Sequence, residues 1–130
     1  MPTGSRTVVF ALLLMILGAG CKDMGTDVPI PPATATVSFA QRVLPIFQRN
    51  GCIACHGGSG GLYVGTVAEL LSGGSHGPAL VPGHADNSNL IKKLQNSPPF
   101  GVRMPQGGPY LSDSTVAVLR TWINEGAQNN

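Results

Sequence analysis

Cys52-Ile53-Ala54-Cys55-His56 is the stretch on which the reading of this chain turns. Two thiols stand three residues apart, and an imidazole follows the second directly. That order, C-x-x-C-H, suits covalent attachment of a c-type haem. Each thiol can add across one vinyl group of the same porphyrin. His56 is then placed beneath the ring, where its imidazole can bind iron as the proximal ligand. Two other chemistries use C-x-x-C. A thioredoxin-like redox pair wants a preceding strand in an α/β pattern, and none precedes Cys52. A four-ligand zinc site wants two further Cys or His at short spacing, and His76 and His84 offer only irregular spacing. Haem attachment alone also accounts for His56 and for an export-type N-terminus.

The chain has 130 residues and a formal net charge of +2. It has no basic stripe with interleaved aromatics, which excludes a nucleic-acid-binding reading. Aromatics make up 5 % of residues, against 18 Gly and 11 Pro. A domain so composed and so small has little core of its own. It suits a loop-rich wrapping around an apolar cofactor, and it predicts poor folding without that cofactor. The three cysteines divide between the clamp and the N-terminus, leaving none for a structural disulfide.

Outward from the clamp, the chain falls into three parts. Residues 1–21 read as an export signal: Arg6 in a positive n-region, an apolar run from Val8 to Leu17, then Gly18-Ala19-Gly20 and Cys21. The run is too short to span a bilayer comfortably. The arrangement resembles a bacterial lipoprotein signal, which implies lipidation at Cys21 and attachment to a membrane. Residues 22–36 are rich in Pro, Thr and Ala and read as an extended tether. Residues 37–130 form the folded domain.

Within that domain the periodicity predicts helices. Ser38 and Gln41 form a capping-box pattern ahead of an apolar face of Phe39, Val43, Ile46 and Phe47. Pro45 should kink this helix, and Asn50-Gly51 should end it. A glycine-rich loop, Gly57–Gly65, lets backbone approach the porphyrin closely. Thr66 and Glu69 cap a short helix. Asp86 or Asn87 can cap another that runs to about Gln95, buries Leu90, Ile91 and Leu94, and turns Lys92 and Lys93 to solvent. Ser112 opens the last helix, with Val116, Leu119 and Ile123 on its inner face and Trp122 at the margin. The terminal Ala-Gln-Asn-Asn should fray.

From about Phe39 to Ala127 the chain resembles the small class I-like cytochrome c domains of planctomycetes and related bacteria. The matching stretches are Leu44-Pro45-Ile46-Phe47, Cys52 to Gly57, Gly77-Pro78-Ala79-Leu80-Val81-Pro82-Gly83, Met104-Pro105, and Leu111-Ser112-Asp113 leading to Trp122-Ile123 and Gly126-Ala127. The resemblance implies an all-α, cytochrome c-like fold of three to four helices wrapped around one covalently bound haem c. The first and last helices should cross, bringing Phe39, Val43 or Phe47 against Leu119, Trp122 or Ile123. It also implies Met104 as the distal iron ligand.

The residues themselves agree with that role for Met104. It lies in a Pro/Gly loop rather than on an apolar helical face, where a methionine usually fills core. Met/His ligation favours Fe(II) and raises the potential. His84 is the main rival ligand and His76 the lesser one. Arg103 either pairs with a haem propionate or stands as a surface cation. Tyr63, Tyr110 and Trp122 could also donate hydrogen bonds to the propionates, with packing the expected role of Trp122.

No nucleophile–base pair stands out, so the first functional reading is a non-enzymatic, single-electron carrier at the outer face of a bacterial membrane. It would exchange electrons with redox partner proteins. A haem enzyme or gas sensor requires a displaceable sixth ligand. A tethered interaction module would use haem only structurally.

Overall fold

The computed structural model describes residues 36–130. The expected export signal, the expected lipidation at Cys21 and nearly all of the expected tether lie outside the described residues. Among those described there is no strand, and no helix is long and apolar enough to cross a membrane.

The first helix begins as a π turn, Phe39–Val43, and continues as α1, Leu44–Arg49. Ser38 caps it by accepting from the Gln41 N–H at 3.2 Å. The π turn explains how Pro45 is accommodated. It carries the Leu44 N–H back to the Phe39 carbonyl, five residues earlier, and α1 then starts afresh with Pro45 in its first turn. A proline is tolerated in the first turn of an α-helix, where its missing N–H leaves no bond within α1 unmade. Gly51 follows with φ of 71°, a conformation that favours glycine, and hands the chain directly to the clamp.

The attachment motif is itself helical. Cys52–Cys55 form a single turn, α2, which joins the four expected helices as a fifth. α3, Val67–Ser72, carries the full capping box: Glu69 N–H donates to Thr66 Oγ1, and Thr66 N–H donates to Glu69 Oε2. Gly73 ends it under a hard constraint, since a Cβ there would sit 2.0 Å from the Gly77 carbonyl oxygen.

α4 spans Asn89–Leu94. Asp86 and Asn87 do not cap it; they belong to a 3-10 turn, Ala85–Asn87, and Ser88 takes the cap position. Ser88 is fully buried. Its Oγ accepts from Val81 N–H at 2.8 Å and donates to the His84 carbonyl at 3.0 Å. A buried hydroxyl must find such partners, and here they fold residues 81–84 over the start of α4.

α5, Asp113–Asn124, is the longest helix, capped by Ser112. Its inner face is Leu119, Trp122 and Ile123, all fully buried. Trp122 is thus central rather than marginal. Its ring lies 5.5 Å from that of Phe39, which is the expected packing of the first helix against the last. Sixteen hydrophobic residues are buried, from Phe39 to Ala127, so the core is larger than the scarcity of aromatics suggests.

The C-terminal tail does not fray. Trp122 Nε1–H donates to the Gln128 carbonyl at 3.0 Å, while Asn130 accepts from Phe39 N–H and Ala40 N–H at 2.9 and 3.0 Å. The Glu125 carboxylate accepts from Val37 N–H at 2.7 Å. These are the unpaired N–H groups at the start of the first helix, and the last helix and its tail satisfy them.

Candidate functional site

Gly51 starts α2, and within that one turn Cys52 and Cys55 stand three residues apart, on one helical face. Both are free thiols. Cys52 is partly buried and packs against the core, whereas Cys55 is exposed. Burial pushes the Cys52 thiol above its ordinary pKa, because desolvation disfavours the thiolate. A bond to its own backbone lowers it only in part, and the nearby Cys55 raises it further.

His56 takes the C-cap of this turn, its N–H bonded to the Cys52 carbonyl at 2.7 Å. Its Nδ1 lies 3.2 Å from the Ser59 carbonyl oxygen. A carbonyl only accepts, so Nδ1 carries the proton. The Nε2 lone pair is therefore left for a metal, in the tautomer that a protein-held imidazole ligand needs. Two thiols on one face and an adjoining imidazole with free Nε2 fit a covalently attached haem.

The glycine-rich stretch 57–65 is pinned at Gly60 by the turn around Ser75. Ser75 donates to the Gly60 carbonyl from both its N–H and its hydroxyl, each at 2.9 Å. A Cβ on Gly74 would lie 2.7 Å from that same carbonyl oxygen. The close approach is loop against loop, and it anchors the chain that follows His56.

Met104 is half-buried and packs against the core. Its N–H donates to the Lys93 carbonyl at 2.8 Å, which fixes its backbone to the end of α4. His84 is exposed and belongs to the other end of that helix, where its carbonyl accepts from Ser88 Oγ. Residues 83–85 are tied to the end of α5, through Gly83 N–H to the Ile123 carbonyl and Ala85 N–H to Asn124 Oδ1. The two rival ligands thus flank opposite ends of α4. His76 is exposed and stacks on Phe100, ring centroids 4.1 Å apart and nearly parallel. Among the described residues no three His, Cys, Asp or Glu side chains gather into a metal-binding group.

Arg103 is committed locally. Its Nε donates to the Leu94 carbonyl at 2.9 Å, another nitrogen donates to Asn96 Oδ1, and the guanidinium lies 4.0 Å over the Tyr110 ring. Trp122 Nε1 is likewise spent on Gln128, and Tyr63 and Tyr110 are half-exposed. Nothing in the local pattern marks Ser88, and helical spacing turns Lys93 to solvent. In the structure Lys93 Nζ donates to the Phe100 and Val102 carbonyls. A single-sequence pattern shows a lysine's helical face, not which loop folds back over it.

Helices gathered about a C-x-x-C-H turn, with no strand among the described residues, define a small all-α cytochrome c-like fold. Residues 52–106 match the family described as planctomycete cytochrome C. The match opens on the first clamp cysteine and closes two residues beyond Met104. The family implies covalently bound haem c, in keeping with the clamp. Among solved structures the chain is similar to hydrazine synthase of Kuenenia stuttgartiensis, at 25 % identity and a TM-score of 0.49. That similarity covers 73 % of this chain but only 17 % of the other. No curated protein matches the chain.

Proposed function

We propose that this protein is a monohaem c-type cytochrome that carries single electrons between redox partner proteins at the outer face of a bacterial membrane, held there by a lipid on Cys21. In this reading residues 1–21 direct export, 22–36 tether the domain, and 37–130 carry the haem. The observation that carries it is the state of His56: its Nδ1 is engaged by the Ser59 carbonyl and its Nε2 is free, next to Cys55 and in the same helical turn as Cys52, both free thiols.

Haem c, when bound, supplies a one-electron iron couple. The Cys52 and Cys55 thiols would hold it as thioethers. His56 would supply the proximal imidazole and Met104 the distal thioether, favouring the reduced iron. The buried cluster around Phe47, Leu80, Leu119 and Trp122 keeps the α-helices fixed while charge changes. The Ser59 carbonyl and the Lys93 carbonyl hold the two ligand-bearing segments in place. Rigid ligands are what an electron carrier requires, since little rearrangement then accompanies electron transfer.

The test is to express the full chain in a bacterium with a cytochrome c maturation system and record oxidised and reduced spectra of wild type and Met104→Ala. The expected wild type carries one covalent haem, is low-spin, and shows a sulfur-to-iron charge-transfer band. The band should vanish in Met104→Ala, and the potential should fall by on the order of 0.1 V, a fraction of the range that axial ligands command. A low-spin variant unchanged from wild type would hand the distal role to His84. A high-spin wild type would favour the enzyme or sensor reading. Absence of covalent haem would overturn the proposal altogether.

A further inference from the structure

We infer that Lys93 is the positioning residue for Met104, an assignment that rests on Met104 being the distal iron ligand. Three kinds of contact converge on this one side chain and its backbone. The Lys93 carbonyl accepts from Met104 N–H at 2.8 Å. It is one of the last carbonyls of α4, which no N–H within the helix can satisfy. The Lys93 ammonium turns back over the same loop and donates to the Phe100 carbonyl at 2.6 Å and to the Val102 carbonyl. It also lies 4.8 Å over the Phe100 ring, which His76 stacks upon. Residues 94–103 are therefore closed into a loop whose two sides both meet at Lys93.

Gly101 supplies an independent sign that the loop is shaped around this ammonium. It stands between the two carbonyl-bearing residues with φ of 55°, and a Cβ there would sit 3.3 Å from Lys93 Nζ. A side chain at position 101 would be both strained and in the way. Hydrogen bonds from an ammonium to carbonyls are stronger than neutral ones. They restrict a proline- and glycine-rich loop that would otherwise sample many positions. Lys93 acts at one remove, by keeping the Met104 backbone where the thioether is wanted. Arg103 ties the same loop at Leu94 and Asn96 but makes no bond to the segment 100–102.

The experiment uses the haem-loaded full chain and imidazole as a probe that competes with the Met104 thioether. Apparent imidazole affinity rises as the methionine is held less firmly, because it scales with the fraction of protein whose sixth position is open. Lys93→Met keeps the length and packing of the stem but loses the donor. It should bind imidazole about tenfold more tightly or more, the scale expected for losing bonds of the charged class. Met104 amide hydrogen exchange should quicken in parallel. Lys93→Arg, which restores a cationic donor, should fall between, and Lys92→Met should match wild type. If Lys93→Met accumulates no haem-loaded protein, Gly101→Ala carries the test, with the same direction expected. Wild-type imidazole affinity and Met104 exchange in the tested variant, with the charge-transfer band intact, would overturn the role of Lys93 alone. A wild type without that band, or a Met104→Ala that keeps it, would overturn the ligand assignment and this inference with it.

Discussion

His56 and Met104 are held by regions of opposite construction. Every bond that sets His56 comes from its own neighbourhood: the Cys52 carbonyl four residues back and the Ser59 carbonyl three residues on. Met104 takes its place from α4, eleven residues earlier, through Lys93, while Arg103 beside it reaches Leu94 and Asn96. The Cys52–His56 turn is thus specified by consecutive residues, and the Met104 side by tertiary contacts. Local specification is robust to change elsewhere in the chain. The Met104 side should respond by degrees.

The largest effect should come from removing the clamp. Cys52→Ala with Cys55→Ala eliminates both points of attachment, and haem-stained denaturing gels should show complete loss of covalent haem. Met104→Ala should retain full covalent haem on the same gel, with only its spectrum changed. Equal haem loss in both variants would erase the contrast between a covalent side and an adjustable side.

Trp122→Ala should rank next, because that ring belongs to the core against which Cys52, Ile53 and Met104 all pack. It is fully buried, faces Phe39, and holds the tail through Gln128. Truncating a buried aromatic costs about 3–5 kcal/mol. Denaturant unfolding of the haem-loaded protein should reveal that loss. If only the Met104 loop responded, seen as greater imidazole affinity without lost global stability, the two regions would not share one core.

Legibility in the sequence follows the same divide. The clamp, the Thr66–Glu69 capping box, the Ser112 cap and the stop at Gly51 rest on residues within a few positions of one another. Spacing shows them directly, and all of them appear in the structure. What spacing does not show is what reaches across the chain. Ser88 looks like an ordinary polar residue until Val81 and His84 close over it. Lys93 looks solvated until residues 100–102 return to it. The tail looks frayed until the first helix presents unpaired N–H groups to Asn130. The π turn at Phe39–Val43 is likewise invisible to a 3.6-residue period, although Pro45 marks where it must give way to α1. Only the family pattern and its Pro/Gly setting single out Met104 in the sequence; its bond to the Lys93 carbonyl is not visible there.

A smaller effect tests the local side. Thr66→Ala removes the side-chain half of the capping box on α3, whose far end leads through Gly73 into the turn that anchors Gly60. The loss should be about 1 kcal/mol, the usual worth of such a cap. The charge-transfer band and the potential should not move, because the cap does not touch the Met104 loop. A shifted potential would mean that the clamp side transmits strain to the distal ligand.

The smallest effect should come from the ion pair between Arg120 and Asp86, which links α5 to the 3-10 turn just after His84. The Asp86 side chain is 83 % exposed, so water screens most of the attraction. Exposed pairs of this kind contribute about 0–1 kcal/mol. Asp86→Asn should therefore leave unfolding within about 0.5 kcal/mol of wild type. The difference should shrink further as salt rises. The segment is already held by Ser88 and by the Ala85 N–H bond to Asn124, neither of which the substitution disturbs. A drop of several kcal/mol would show that charge, rather than buried hydrogen bonding, keeps His84 away from the Met104 side. In that event the double variant Asp86→Asn with Met104→Ala should turn low-spin, as a released His84 took the vacant position.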